Sequence, residues 1–307
     1  AKGEEPIVVP TSYGKPLYLH SIEQGGIHIW SRDGKRITRS GAPLPDGDQE
    51  SAVQTRGAQK KELAQYNSFG VSAWYMDGSN TIPLFQKDGN PYIAIATPFD
   101  NNKFWEVKDS RWPKYNDAGI QAFAPYSADA TPFLAFQEAV DIHRTKIKYT
   151  ALAQKDEIAK QPDLIVATAV SDDSRRVTDL KFKHALTAVT FAISKDLAAI
   201  VGSGKKLTKV ELRGIPNKGT CTLAFNSNDN YSAYPQWAVE KDVATYTFDF
   251  SDQDIIVGQA DRALTLGDST LMMIPQTLPE GAELSFTLTK NGQEEEFQIP
   301  LKGKSCN

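Results

Sequence analysis

Apolar and polar residues in this chain alternate over short stretches, and helical spacing is nearly absent. Leu284-Ser-Phe-Thr-Leu-Thr289 and Ala244-Thr-Tyr-Thr-Phe-Asp-Phe250 alternate strictly, which puts every second side chain on one face of a sheet. Elsewhere, continuous runs of β-branched and aromatic residues are bounded by Gly, Asn, Asp and Pro, as strands are. The pattern predicts strands at Leu17–Ile22, Ile27–Trp30, Phe69–Tyr75, Tyr92–Thr97, Ile120–Tyr126, Ile147–Thr150 and Leu164–Ala169. Further along it predicts Leu180–Ser194, Leu207–Leu212, Gly219–Phe225, Ala244–Phe250, Thr270–Ile274, Leu284–Lys290 and Glu295–Pro300. Asp33-Gly34, Asp77-Gly78, Asp88-Gly89 and Asn291-Gly292 stand where hairpins reverse, because Gly accepts positive φ at little cost. His20 and His28 flank Gly25-Gly26 and are placed to face each other across such a hairpin. The best helical candidate, Asp156–Lys160, runs straight into Pro162.

Many short strands with frequent turns predict an all-β fold, not a βαβ fold. The expected architecture is two tandem antiparallel β-sandwiches of transthyretin-like or immunoglobulin-like type. A polar stretch, Ser171–Thr178, separates the two strand sets, so the expected domains are 1–172 and 173–307. A second polar segment, Ser31–Gln65, is charged and nearly free of large apolar residues. A loop this long in a compact domain usually serves a function or stays disordered.

The length of 307 residues suits two domains, each able to bury its own core. The net charge is −4, and Lys and Arg are scattered. That distribution gives no phosphate-binding footprint, so nucleic acid is not an expected partner. No apolar run of about 18 residues is present, so no helical membrane span is expected. Cys221 and Cys306 are the only cysteines. They exclude a disulfide scaffold and leave pairing and free thiols both open. The chain begins Ala-Lys-Gly-Glu-Glu with no apolar leader, which fits either an intracellular chain or an exported one already trimmed. Abundant Asn, Thr, Ser, Gly and Pro beside three Met and four His favours the exported one.

Motifs for chemistry are missing. No two of His20, His28, His143 and His184 sit at a metal-ligand spacing with a carboxylate or Cys alongside. Gly202-Ser-Gly-Lys-Lys206 lacks the first Gly and the final Ser/Thr of a phosphate loop and reads as a turn. Asn226–Asn230 offers oxygens at alternate positions without the Gly and Glu of a calcium loop. There is no G-x-S-x-G elbow. No cofactor and no metal are expected. Phe104-Trp105 and Trp112-Pro113 lie close together and form a candidate ligand-binding patch at Trp105 and Trp112, with a core-capping role as the plainer reading. Trp112 is expected to be buried.

Several segments together resemble the fimbrillin family, the subunits of type V pili. Thr55-Arg56-Gly57 precedes Phe69-Gly-Val-Ser-Ala-Trp-Tyr75; then come Trp105, Trp112-Pro113 and Ala122-Phe-Ala-Pro-Tyr-Ser127. Asp163–Ala167 is similar to the closing strand of that family's first domain. Phe182-Lys-His-Ala-Leu186, Val189-Thr-Phe191, Val210–Gly214, Lys218-Gly-Thr220 and Met273-Ile-Pro-Gln276 are similar to its second. The resemblance covers roughly residues 15–301. Chains of that family close with a strand carrying Trp, Gly and Tyr beyond the equivalent of Leu301, and here Asn307 is reached without it.

The resemblance implies a non-enzymatic structural subunit of a cell-surface fimbria that contributes to adhesion, exported as an outer-membrane lipoprotein precursor. It implies proteolytic processing at Arg56-Gly57, release of Leu17–Trp30 from its sheet, and polymerisation with other subunits by strand addition. Host glycans or proteins are further expected partners. A secreted carbohydrate-binding sandwich using Trp105 and Trp112 is the alternative, and a glycosidase is a third reading.

Overall fold

The structure, a computed structural model, describes residues 7–10, 16–22, 26–30, 66–99, 104–108, 110, 118–137, 144–153, 155–171, 180, 182–224, 235–265 and 269–306; before residue 66, only the backbone is described. It is an all-β protein. Every strand pair in its ladders is antiparallel. Among the described residues, helix is limited to Lys155–Ile158, Ala198–Val201 and the 3-10 turn Lys195–Leu197. The first of these lies at the expected Asp156–Lys160.

Three sheets carry the fold. The largest runs Lys183–His184, Ile165–Ser171, Ala118–Ala124, Phe69–Asp77, Ala94–Phe99, Phe104–Val107, with Asn80–Pro83 hairpinned onto Phe69–Asp77. Phe69–Trp74 is buried at every position and Ala118–Ala124 at all but one. That is why these strands are continuous apolar runs: both faces of the sheet are covered. A second sheet runs Leu134–Gln137, Arg144–Thr150, Lys218–Ala224, Gln236–Val239. A third runs Val243–Asp249, Lys206–Pro216, Glu283–Lys290, Gln293–Pro300.

One apolar core joins all three. Phe123, Leu164 and Val166 of the first sheet and its flank meet Ile147, Tyr149, Cys221 and Leu223 of the second. Leu212, Tyr246, Phe248, Leu284 and Ile299 of the third complete it. A smaller core covers the opposite face of the large sheet, where Phe69, Val71, Ala96, Ile120, Ala122 and Ala167 are packed by Trp105 and Phe182. Gln121 is fully buried and bonds the first sheet to the second. Its Nε2 donates to the Leu223 carbonyl (2.6 Å), and its Oε1 accepts from the Thr145 N–H (2.8 Å).

Residues 172–179, where the domain boundary was expected, lie outside the described set apart from Ser171, which ends a strand. Two ladders cross that position. Arg144–Thr150 pairs along its whole length with Lys218–Ala224, and Ile165 and Val166 pair with His184 and Lys183. Severing the chain at 172 would therefore part strands that share a sheet and a core.

The long predicted strand Leu180–Ser194 is three short ones with different partners. Lys183–His184 joins the large sheet, Thr187–Val189 pairs with Leu271–Met273, and Ala192–Ile193 pairs with Arg262–Ala263. Ala185–Val189 is buried throughout, so its apolar run reflects enclosure, not one long ladder. The first three strands also differ from expectation. Ile7–Pro10, Pro16–Ile22 and Gly26–Trp30 form a sheet of their own, with His20 and His28 as register partners. That sheet lies alongside Thr187–Val189, Ala192–Ile193 and Gln293–Pro300.

Candidate functional site

Of the residues singled out from sequence, Arg56, Gly57 and Trp112 lie outside the described set, as do the loops Asn226–Asn230 and Asp33-Gly34 and the position His143. Trp105 is described. It is half-buried at the outer strand of the large sheet, its ring tilted on Phe69 with centroids 5.0 Å apart. Phe69 in turn takes the edge of Phe182 at 5.3 Å. Trp105 thus packs part of its surface on the smaller core.

His184 sits at the edge of the large sheet with its side chain 35% exposed. Its Nδ1 is hydrogen-bonded to Oδ1 of Asp163 at 3.0 Å, with Oδ2 at 2.9 Å and off the bonding direction. The Asp163 side chain is fully buried. Tyr66 donates its hydroxyl to the Asp163 carbonyl (2.8 Å); burial first, and the Asp163 carboxylate second, push the Tyr66 pKa up. The pair resembles the orienting half of a catalytic triad, but no nucleophile among the described residues bonds to His184, so it fastens the edge strand to the chain before Ile165.

The exposed face of the third sheet carries a charged ladder. Arg213 pairs with Glu211 on its own strand, with Glu283 (3.2 Å) and with Glu296 (2.6 Å), spanning three strands. Ser285 donates to Glu296 at 2.6 Å, Thr247 to Glu211 at 3.1 Å. The Ser285 bond first, then Gln298 and Arg213, hold the Glu296 carboxyl down at about 2. Burial alone would raise the Glu211 pKa; the bonds from Arg213 and Thr247 overrule it and the net direction is down. Such cross-strand pairs are the sheet's own stabilising contacts. Lys205 pairs with Glu295 and lies 5.5 Å from the centre of the Phe297 ring, so the Gly202–Lys206 segment is a turn leading into a strand.

Cys221 carries a free, fully buried thiol whose pKa burial pushes up to about 12, which makes it unreactive. No group of three or more His, Cys, Asp or Glu among the described residues is placed to hold a metal. No described helix is long and apolar enough to cross a membrane.

What these features define is a structural β-protein whose polar side chains brace its sheets. The chain belongs to the fimbrillin-like family: the family model matches residues 55–304. It is accordingly a non-enzymatic fimbrial subunit of the cell surface that assembles with other such subunits. Among solved structures it is similar to a protein from Bacteroides ovatus ATCC 8483 assigned to cell adhesion, at 17% identity over 81% of each chain, with a TM-score of 0.46. A second, from Bacteroides uniformis ATCC 8492 and assigned likewise, shares 14% identity over 79% of this chain and 82% of its own, with a TM-score of 0.40. A third, from Bacteroides thetaiotaomicron VPI-5482, shares 15% identity over 85% of each chain, with a TM-score of 0.34. No curated protein matches the chain.

Proposed function

We propose that this subunit enters its fimbria by strand addition after proteolysis at Arg56-Gly57, following export as an outer-membrane lipoprotein precursor, and that the finished fibre contributes to adhesion to host glycans or proteins. The observation that carries the reading is that, among the described residues, the strands up to Trp30 pair only with one another. A cut at Arg56 would remove that sheet without tearing any described ladder of the remainder. The family match begins at Thr55, so the same cut parts the segment ahead of it from the body the family shares. Loss of that sheet would bare its neighbours, Thr187–Val189, Ala192–Ile193 and the edge strand Gln293–Pro300. Open strand edges accept an incoming strand through main-chain hydrogen bonds, with alternate side chains filling pockets. Five apolar side chains buried by that strand would contribute roughly 7–15 kcal/mol before ordering costs.

The test is digestion of the intact precursor with an Arg-specific protease, beside Arg56→Ala. The expected outcome is a new N-terminus at Gly57, loss of the N-terminal fragment and an SDS-resistant ladder, all absent from the variant. A nicked protein that keeps its fragment and stays monomeric sinks the mechanism.

A further inference from the structure

The exposed face of the second sheet is basic in a chain of net charge −4. On Arg144–Thr150, Thr145, Ile147 and Tyr149 point into the core, so Lys146 and Lys148 point out, and both are exposed. Neither forms an ion pair among the described residues. Their neighbours across the sheet carry no charge: Thr222 and Thr220 on one side, Gln137 and Ala135 on the other. The two lysines therefore stand in an uncharged surround, about 6.7 Å apart along the strand. Lys218, on the same face, is already paired with Asp242 at 2.8 Å.

The third sheet shows the opposite arrangement. Glu294 and Glu296 on the edge strand Gln293–Pro300 share an outward face at the same two-residue spacing, opposite Thr289 and Thr287. Three carboxylates there share the guanidinium of Arg213, Lys209 also reaches Glu211 at 3.4 Å, and Glu294 forms no ion pair among the described residues.

We propose that the Lys146/Lys148 face binds the Glu294/Glu296 face of a second copy of this chain. Matching spacing, opposite charge and threonine flanks on both rows let two flat sheet faces approach with the lysines bridged to glutamates. Because the two faces belong to different sheets, the contact is heterologous and repeats from copy to copy. It does not depend on cleavage or strand exchange, so it is tested on the uncleaved chain.

The measurement is sedimentation velocity at protein concentrations up to about 0.3 mM, in low and high sodium chloride, since screening shortens the reach of exposed charges. Association is expected in low salt and lost in high salt. Lys146→Glu with Lys148→Glu weakens it about tenfold, and Glu294→Lys with Glu296→Lys does the same. All four changes together restore it at an unaltered net charge. Glu294→Lys alone breaks no hydrogen bond or ion pair among the described residues and weakens association roughly three- to fivefold, which keeps the test valid if altering Glu296 harms folding. Absence of self-association in low salt overturns the proposal. So does association indifferent to these charges, or an equal loss on reversing Lys302 and Lys304.

Discussion

The amide of Gln121 bolts the large sheet to the second, and its removal is the sharpest test of how those layers hold together. Gln121→Leu keeps the shape and deletes both bonds, stranding the Thr145 N–H and the Leu223 carbonyl in a site with no solvent access. Each orphaned group costs about 1–3 kcal/mol. The added apolar surface gives back about 1–2 kcal/mol, leaving a net loss of about 1–4 kcal/mol. For a chain of this size each kcal/mol moves the melting temperature by about 2–4 °C, so calorimetry should show a fall of about 2–16 °C. Gln121→Glu adds a directional check. A carboxylate can still accept from Thr145 but faces the Leu223 carbonyl with no proton to donate. Its destabilisation should shrink as the pH drops and the new carboxyl protonates. If Gln121→Leu melts at or above the wild-type temperature, apolar contact alone joins the layers and the assigned role of the amide is wrong.

Gly119→Ala would put a methyl group 2.9–3.1 Å from three atoms of the buried Trp74 ring; a loss of about 1–3 kcal/mol is expected, read as a lower urea midpoint, and an unchanged midpoint would show that the ring can yield. Acid should weaken the third sheet: the Glu296 and Glu211 carboxyls are held below their ordinary range in the folded chain, Glu296 at about 2, so their stabilisation is present above about pH 4.5 and is lost as the pH falls toward 2. With 40% of the Glu296 side chain exposed, solvent screening limits its share to about 1 kcal/mol, and Arg213→Met should flatten this part of a pH-stability curve obtained by chemical denaturation.

The turns were legible because turn chemistry is local. Asn291 and Gly292, at φ 54° and 76°, close a two-residue hairpin between Lys290 and Gln293, as their sequence demands. Asp88 and Gly89 do the same at φ 52° and 79°, between two-residue strands too short to show any periodicity. Strand partners were not legible, because pairing is decided by residues far apart in sequence. Leu134–Gln137 and Gln236–Val239 carry little strand signal of their own; they are strands because Arg144–Thr150 and Lys218–Ala224 offer them an edge. The mostly apolar run from Ala185 to Val189 looked like part of one long ladder because enclosure on all sides and a fully buried strand leave the same mark.

Polar residues were the least legible part, and for one reason. Nothing in the spacing of Gln121, Gln161 and Gln276 marks them as buried, yet all three are, each bonding main-chain groups on other segments. A buried amide is favourable only where such groups already need partners, and that need arises from tertiary pairing. The lysines show the converse. Thr145-Lys-Ile-Lys-Tyr149 alternates plainly, so their outward position follows from the sequence once the strand is extended back past Ile147. Their missing counter-ions do not follow, since those depend on which strands flank them. A charge row with threonine, glutamine and alanine for neighbours has no ion-pairing task among the described residues, unlike Arg213 among its three glutamates. An exposed row of that kind must be answered by solvent ions or by another molecule, and Glu294 and Glu296 on the third sheet offer a matched row.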